Sequence, residues 1–475
     1  MAEKNLGESK LEMYGGTFGA TLPLIIAVVG FVIFSIYERG AITAFWVSSW
    51  LGISVGILIA KNRKSYAESV FRGISRKEGA AIYVIWLFAG VLGQIWRGGG
   101  FVEGFVWLGS SAGLTGPVFV ILTYFCALVL ATGLGTSVGT VVALAPVLYP
   151  AGIALGADPV ALALALIAGG AFGDNLGPIS DTTIVSAYTQ NAEIGDVVKS
   201  RFPISATAAV IAGIALFALA SSGGTPSLGT YEIKGNPFGL VHVFSLILLL
   251  IVVLRGGHLI EATVYAIFLS MVLGLAVGTL TFDKIVKIPE VRGGDAGLIM
   301  SGIQGVVAPI IFVMLILGIT QVLIDTGAMD KFIAWAQKTV AKTVRQAEAS
   351  IAGFTVLITI PLAANAPGIL IVSEYAKRVA EKFNLHPARA ANLLDCAANT
   401  IFYTLPWHNA MIAWYTAVLT AAQQYGMPCP SILVGLINPY AWALLLVLYL
   451  SILTGWNRAY KGEKITYISG WKRIG

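Results

Sequence analysis

Long apolar runs with few charges recur along the whole chain. Eight of them read as full crossings: 21–37, 41–60, 79–96, 203–221, 238–254, 259–280, 298–323 and 431–454. A helix needs about 20 apolar residues to span a bilayer, and it satisfies its own backbone groups, so helices are the predicted element throughout. Two longer stretches, 115–190 and 348–424, are interrupted by Pro, Gly, Ser, Thr, Asn and Asp. Each reads as a re-entrant hairpin (115–155 and 348–382) followed by one broken crossing (159–190 and 387–424). Irregular backbone at membrane depth is tolerated only where protein or a wet cavity covers it.

The interruptions repeat at one spacing. Pro178 and Pro406, Pro159 and Pro387, Ser137 and Asn365, Gly99 and Gly327, and Gly90 and Gly318 each stand 228 positions apart. This predicts two repeats, 21–221 and 222–454, between a short head (1–20) and a basic tail (455–475). Paired breaks of this kind hold substrate and coupling ion in secondary transporters.

Charge then sets orientation through the excess of Lys and Arg on the cytoplasmic side. Lys61, Arg63, Lys64, Arg72, Arg76 and Lys77 place loop 61–78 inside, and Lys199 with Arg201 marks a second cytoplasmic return. Loop 325–347, with Lys331, Lys338, Lys342 and Arg345, falls inside, as does the tail with Arg458, Lys461, Lys464, Lys472 and Arg473. Ten crossings satisfy every basic loop. Each half contributes five, an odd number, so the repeats are inverted and the two hairpins enter from opposite faces. Both termini are expected in the cytoplasm and the protein in the cell membrane (the inner membrane of a bacterium).

Composition narrows the class without altering this outline. Charged residues make up 11% of the chain, apolar residues 57%, and the mean hydropathy is +0.82. A soluble domain carries about a quarter charged residues, so a water-facing enzyme is excluded. The net charge of +6 sits in loops and carries orientation rather than nucleic-acid binding. Cys126, Cys396 and Cys429 show no metal spacing or disulfide framework, the four histidines form no i,i+4 pair, and no nucleophile constellation appears.

The candidate chemistry lies at the breaks. The first hairpin tip reads T-G-L-G-T-S-V-G-T, Thr132 to Thr140, where Thr136, Ser137 and carbonyls freed by glycine can replace water around a small cation. Close helix packing explains the same small residues. The first crossing break, G-D-N-L-G-P-I-S-D-T-T, carries Asp174, Asn175, Asp181, Thr182 and Thr183, with Pro178 unable to donate to the Asp174 carbonyl. Carboxylates at membrane depth are costly and default to function, and hard oxygens suit a hard cation. A helix cap at Asp181 or Ser180 is the structural alternative.

The second tip, P-L-A-A-N-A-P-G, offers Asn365, with Pro367 freeing the Ala363 carbonyl. Glu374 with Lys377 and Arg378 reads as a local ion pair. The second crossing holds Asp395 and Asn399 on one helical face, then Thr404, Trp407, His408 and Asn409. Asp395 is a candidate proton site, since burial disfavours the charged form of a carboxylate. His408 either titrates or packs through hydrogen bonds, and Phe402, Tyr403, Trp407, Trp414 and Tyr415 form either a core or a wall for an organic ligand.

At these motifs, together with L-H-P at 385–387 and L-P-W-H-N at 405–409, the chain resembles the NhaC-type sodium/proton antiporter family of the ion transporter superfamily. The likeness spans most of residues 79–450. It implies an inverted-repeat, often homodimeric transporter that moves a transport domain against a scaffold, elevator-like. It also implies Na⁺ contacts at Thr136, Ser137, Asp174 and Asn175, and a pseudo-symmetric site around Asn365 and Thr404. The chain departs from the family pattern at Val138, Gly177 and His408. The expected function is Na⁺/H⁺ antiport by alternating access, with Na⁺ as coupling ion and no cofactor. The alternative is Na⁺-coupled symport or exchange of an amino acid or small carboxylate.

Overall fold

The computed structural model describes residues 11–37, 42–114, 116–178, 180–222, 233–255, 258–287, 289, 297–328, 342–362 and 364–465. In chain order the first half holds α1 (Gly16–Tyr37), α2 (Ile42–Leu58), α3 (Arg63–Ile74), α4 (Lys77–Gly98), α5 (Phe101–Ser111), α6 (Gly116–Leu134), α7 (Ser137–Ala154), α8 (Pro159–Leu176), α9 (Asp181–Gln190) and α10 (Ile194–Ser222). After a 3₁₀ turn at Pro237–His242 come α11 (Val243–Leu254), α12 (Leu259–Ala276), a short α13 (Phe282–Ile285), α14 (Leu298–Asp325), α15 (Val344–Thr359), α16 (Asn365–Lys382), α17 (Pro387–Ile401) and α18 (Asn409–Gln424). A second 3₁₀ turn, Ile432–Ile437, leads into α19 (Pro439–Thr454). Among the described residues no strand ladder forms; Met13 with Ala60 and Leu385 with Tyr460 make isolated bridges. Among the described residues six helices are long and apolar enough to cross a membrane, and the chain is an all-α multi-pass membrane protein.

The stretches expected as hairpins fold as the helix pairs α6–α7 and α15–α16, and those expected as broken crossings as α8–α9 and α17–α18. The helix starts Ser137, Pro159 and Asp181 recur at Asn365, Pro387 and Asn409, each 228 positions on. Local chemistry sets these starts. Asp158 accepts from Ala161 N at 2.7 Å and His386 from Ala388 N at 3.1 Å, each just before a proline at the first helical position, where no backbone donor is needed. The broken span Pro159–Gln190 lies inside the protein, with 94% of its most apolar window buried, whereas Ile194–Ser222 has 33%. Asp174, Asn175, Thr182 and Thr183 in the broken span are buried by protein, while Asp181 is exposed.

Several boundaries differ from the pattern reading. Loop 61–78 contains α3, whose start is capped by Asn62 accepting from Ser65 N at 3.1 Å. The stretch 101–111 is a further helix, α5, about 16 Å long and too short to cross. The span expected at 203–221 starts at Ile194 and runs through Pro203. One missing hydrogen bond does not end a 29-residue helix packed against α8 and α19. The spans expected at 238–254 and 431–454 each open with a 3₁₀ turn. In the second, Pro439 cannot donate, and Asn438 starts the α-helix by accepting from Tyr440 N at 3.2 Å. The second hairpin begins at Val344, ahead of 348, because Thr343 caps Gln346 N at 3.3 Å.

The head and tail are also tied down. Leu11 and Met13 are buried, and Arg458, expected as a tail charge, donates to buried Glu348 at 2.6 Å. Residues 1–10, Lys331 and Lys338 of loop 325–347, Ala363, Lys472 and Arg473 lie outside the described residues.

Candidate cation and proton site

Gly135, at φ +63°, turns the chain from α6 into α7 in the left-handed region where glycine is favoured. The neighbouring break depends on close approach: a Cβ on Gly173 would stand 2.2 Å from the Ala131 Cβ. The small residues of the first tip thus pack helices tightly while they also expose polar groups. Thr136 caps α7, with Gly139 N donating to its Oγ1 at 3.5 Å, and Ser137 is buried as the first residue of that helix.

Asp174, on the last turn of α8, has only 6% of its surface exposed. Ser180 Oγ donates to its Oδ1 at 2.8 Å, and the Tyr403 hydroxyl donates to its Oδ2. Ser137 Oγ lies 2.9 Å from the same phenol oxygen. The tip of the first hairpin, the break of the first crossing and the break of the second therefore meet at one carboxylate. Its hydrogen-bond partners among the described residues are hydroxyls, which can both donate and accept.

A second cluster surrounds Asp395 on α17, which is fully buried. Arg201 Nη1, equally buried, pairs with its Oδ2 at 2.6 Å, and Ser186 Oγ donates to the same oxygen at 3.3 Å. Asn399 and Asn175 amides donate to Oδ1, the latter at 3.4 Å. Arg201 is itself held by Asn392 Oδ1 and Thr183 Oγ1, both at 2.8 Å, and by the Asn175 carbonyl. The two clusters connect: Ser180 Oγ is 3.0 Å from Thr182 Oγ1, to which Asn399 Nδ2 donates at 3.4 Å. Asn365 Nδ2, from the second tip, donates to Asn399 Oδ1 at 2.8 Å.

The proposed residues are divided between these clusters. Asp174 and Ser137 share the first; Asn175, Asn365, Asp395 and Asn399 belong to the second, and Thr182 bridges. Adjacent positions at the end of α8 face different partners, so Asn175 turns its Oδ1 to Ser205 (2.6 Å) and Tyr440 (3.1 Å). Asp181 is exposed and accepts from its own Thr182 N at 2.8 Å, a helix-start arrangement. Thr404 donates to the Ile401 carbonyl at 2.8 Å rather than facing Asn365. Trp407 Nε1 donates to the Ile360 carbonyl at 2.8 Å. His408 is packed in the core with Nδ1 2.9 Å from the Phe402 carbonyl and Nε2 3.2 Å from that of Thr359. Buried Asn409 leaves its Oδ1 without a partner among the described residues. Arg378 pairs with Glu374 at 2.8 Å on the surface, as the spacing predicts.

Arg201 and Tyr403 contact the two candidate carboxylates, although pattern reading placed them elsewhere, at a cytoplasmic boundary and in an aromatic core. A signal for Arg201 was available: Val197, Ser200, Arg201, Ile204, Ser205 and Ala208 form one helical face, all buried. No comparable local signal marks Tyr403, whose partner is 229 positions away.

Comparison with known proteins follows this geometry. The profile of the "Na+/H+ antiporter family" matches residues 13–221 and 228–451. A "Malate-2H(+)/Na(+)-lactate antiporter" of Bacillus subtilis is 23% identical over 313 residues, 62% of this chain and 66% of that protein. An "Arginine/ornithine antiporter ArcD" of Halobacterium salinarum is 25% identical over 475 residues, 94% of this chain and 93% of that protein. Among solved structures, the Alcanivorax borkumensis YdaH transporter aligns over 79% of this chain and 85% of its own, at 15% identity and a TM-score of 0.38.

Proposed function

The chain belongs to the Na+/H+ antiporter family, and from that membership we propose that it exchanges Na⁺ for H⁺ at Asp174 by alternating access of the NhaC type. One observation carries this reading. Of the three buried acids among the described residues, Asp395 and Glu348 hold arginines, whereas Asp174 makes no ion pair with a described residue. An unpaired carboxylate in a dry site needs a counter-ion or a proton. Na⁺ and H⁺ then compete for Asp174, and only one is carried in each half-cycle. Hydroxyls of Ser137, Ser180 and Tyr403 serve either state, offering oxygen to the ion or reorienting around the protonated acid. Asp395 stays compensated by Arg201 and positions the broken helices. The breaks ride together against the scaffold helices, elevator-like, in a homodimer.

The test is transport by purified protein in liposomes, with an internal pH dye read on adding Na⁺. A Na⁺-dependent pH change without organic solute supports the reading; a pH response that needs a solute overturns it. A second reading, exchange that includes an organic solute, is favoured by the activities for which the two curated relatives are named. A panel of labelled amino acids and carboxylates in the same liposomes separates the two.

Ser137 touches the Asp174 cluster and Asn365 the Asp395 cluster. Hence Ser137→Ala is expected to raise the Na⁺ half-saturation about tenfold, the weight of one hydrogen bond to a charged group. Asn365→Ala is expected to lower maximal rate or solute selectivity with little change in Na⁺ dependence. Equal Na⁺ shifts in both would make the two clusters equivalent. For topology, exposed Ser111 and Gln346, at the bases of the two hairpins, are replaced singly by cysteine after removal of Cys126, Cys396 and Cys429. Labelling from opposite faces is expected of inverted repeats, and labelling from one face refutes the inversion.

A further inference from the structure

We propose that Arg201 stands in for a bound cation: its guanidinium fills an oxygen site that takes Na⁺ when the arginine is removed. Three oxygens converge on a single nitrogen, Nη1. Asp395 Oδ2 lies at 2.6 Å, Thr183 Oγ1 at 2.8 Å, and the Asn175 carbonyl oxygen completes the set. Nη1 has only two hydrogens to share among them. Asn392 Oδ1 adds a fourth oxygen, at 2.8 Å from Nε. All five residues are buried.

The pose of the guanidinium differs from that of an ordinary ion pair. A planar fork meets a carboxylate best through two parallel bonds from two nitrogens. Arg201 instead sets one nitrogen among the oxygens, and its buried Nη2 has no hydrogen-bond partner among the described residues. A point charge is surrounded in the same way. The oxygens are a carboxylate, a backbone carbonyl, a hydroxyl and an amide, the ligand types that suit a hard cation. Their spacing is close to the roughly 2.3–2.6 Å at which oxygens hold Ca²⁺, an ion of nearly the radius of Na⁺. One carboxylate balances one monovalent charge, so Na⁺ in place of the guanidinium leaves no buried charge uncompensated. The oxygens come from α8, α9 and α17, whereas Arg201 reaches in from α10. Shortening the arginine therefore removes the charge without removing a ligand.

With Arg201 in place only the Asp174 cluster is open to a mobile ion, so the chain binds one Na⁺. That count rests on the cation–proton reading above; the gain on removing Arg201 does not. The experiment is saturation binding of radiolabelled Na⁺ to the purified full-length protein in lipid nanodiscs. Arg201→Ala is expected to bind one Na⁺ per chain more than the unmodified protein, and adding Asp395→Asn is expected to abolish the gain. Arg201→Gln keeps more of the side-chain packing, covers the case in which the alanine variant fails to fold, and is expected to show the same gain. Asp174→Asn is expected to lower the count by one whether or not Arg201 is present. Failure of that subtraction counts against Asp174 alone, since the Arg201 effect is read as a difference. In the Asp174→Asn background, NaCl in place of choline chloride is expected to raise the unfolding temperature of Arg201→Ala, because an ion that binds only the folded state stabilises it. The same exchange is expected to leave the protein that keeps Arg201 unshifted. An Arg201 variant that folds and binds no additional Na⁺ overturns the inference, as does a gain that persists in Asp395→Asn. Loss of both Arg201 variants in NaCl as well as in choline chloride also overturns it, because a vacated cation site would accept the ion.

Discussion

Asp174→Asn is expected to lower Na⁺-driven proton flux by about 100-fold or more while the protein still folds and purifies. The substitution keeps the shape of the side chain and a carbonyl oxygen for Ser180 and Tyr403, which now donate to the carboxylate. It removes the charge that a cation must balance and the proton that must leave. Taking away one partner of a buried ionic contact costs about 3–5 kcal/mol, and each 1.4 kcal/mol is roughly a factor of ten in binding. Flux is measured with the pH dye in liposomes, and folding by the elution profile in detergent. Sodium dependence close to that of the unmodified protein would remove Asp174 from the transport site. Tyr403→Phe is a milder case: the carboxylate keeps Ser180, so Na⁺ affinity is expected to fall while exchange persists.

The second large effect concerns stability. Arg201→Met leaves Asp395 fully buried without its counter-charge, and is expected to destabilise the protein by about 3–5 kcal/mol. Adding Asp395→Asn to that variant removes the orphaned charge and is expected to recover a large part of the loss. Thermal unfolding in detergent measures both, with Lys199→Met as control, because Lys199 is 42% exposed and its pairing with Asp196 at 3.9 Å is a weak surface contact. An Arg201→Met variant as stable as the control would mean that the pair positions no part of the core. The comparison also tests the division of labour between the acids. If Asp395 were the exchanging carboxylate, freeing it from Arg201 would change the pH profile of transport more than stability.

The breaks were legible because the features that make them are local. Pro159 and Pro387 fix helix starts, and Gly135 and Pro178 end or bend helices through their own backbone chemistry. The 228-residue offset could therefore be read before any contact was known. Charge patterning was less secure. Arg201 and Arg458 count as cytoplasmic markers in a loop tally, yet both donate to buried carboxylates, since an arginine with a partner can be buried where a lone one cannot. The 3₁₀ turns at Pro237–His242 and Ile432–Ile437 escaped notice because hydropathy averages over about 20 residues and does not resolve six.

Hydropathy and residue order already mark a helical membrane protein, two stretches of it broken at matching positions, and carboxylates and amides at those breaks. Those facts follow from hydropathy, proline and glycine geometry and the cost of charge in lipid, all of which act within a few residues. Which polar groups meet depends on packing between distant segments. Asp174 and Asn175 are neighbours in the chain but join different clusters, and the Asp174 partner Tyr403 comes from the other half. By the same offset Phe402 stands where Asp174 stands in the first half, so the repeat in spacing carries no repeat in charge. The direction of a side chain at a helix break depends on the backbone angles of the break and on what packs against it. Residues more than 200 positions away supply that packing, and no local pattern encodes it.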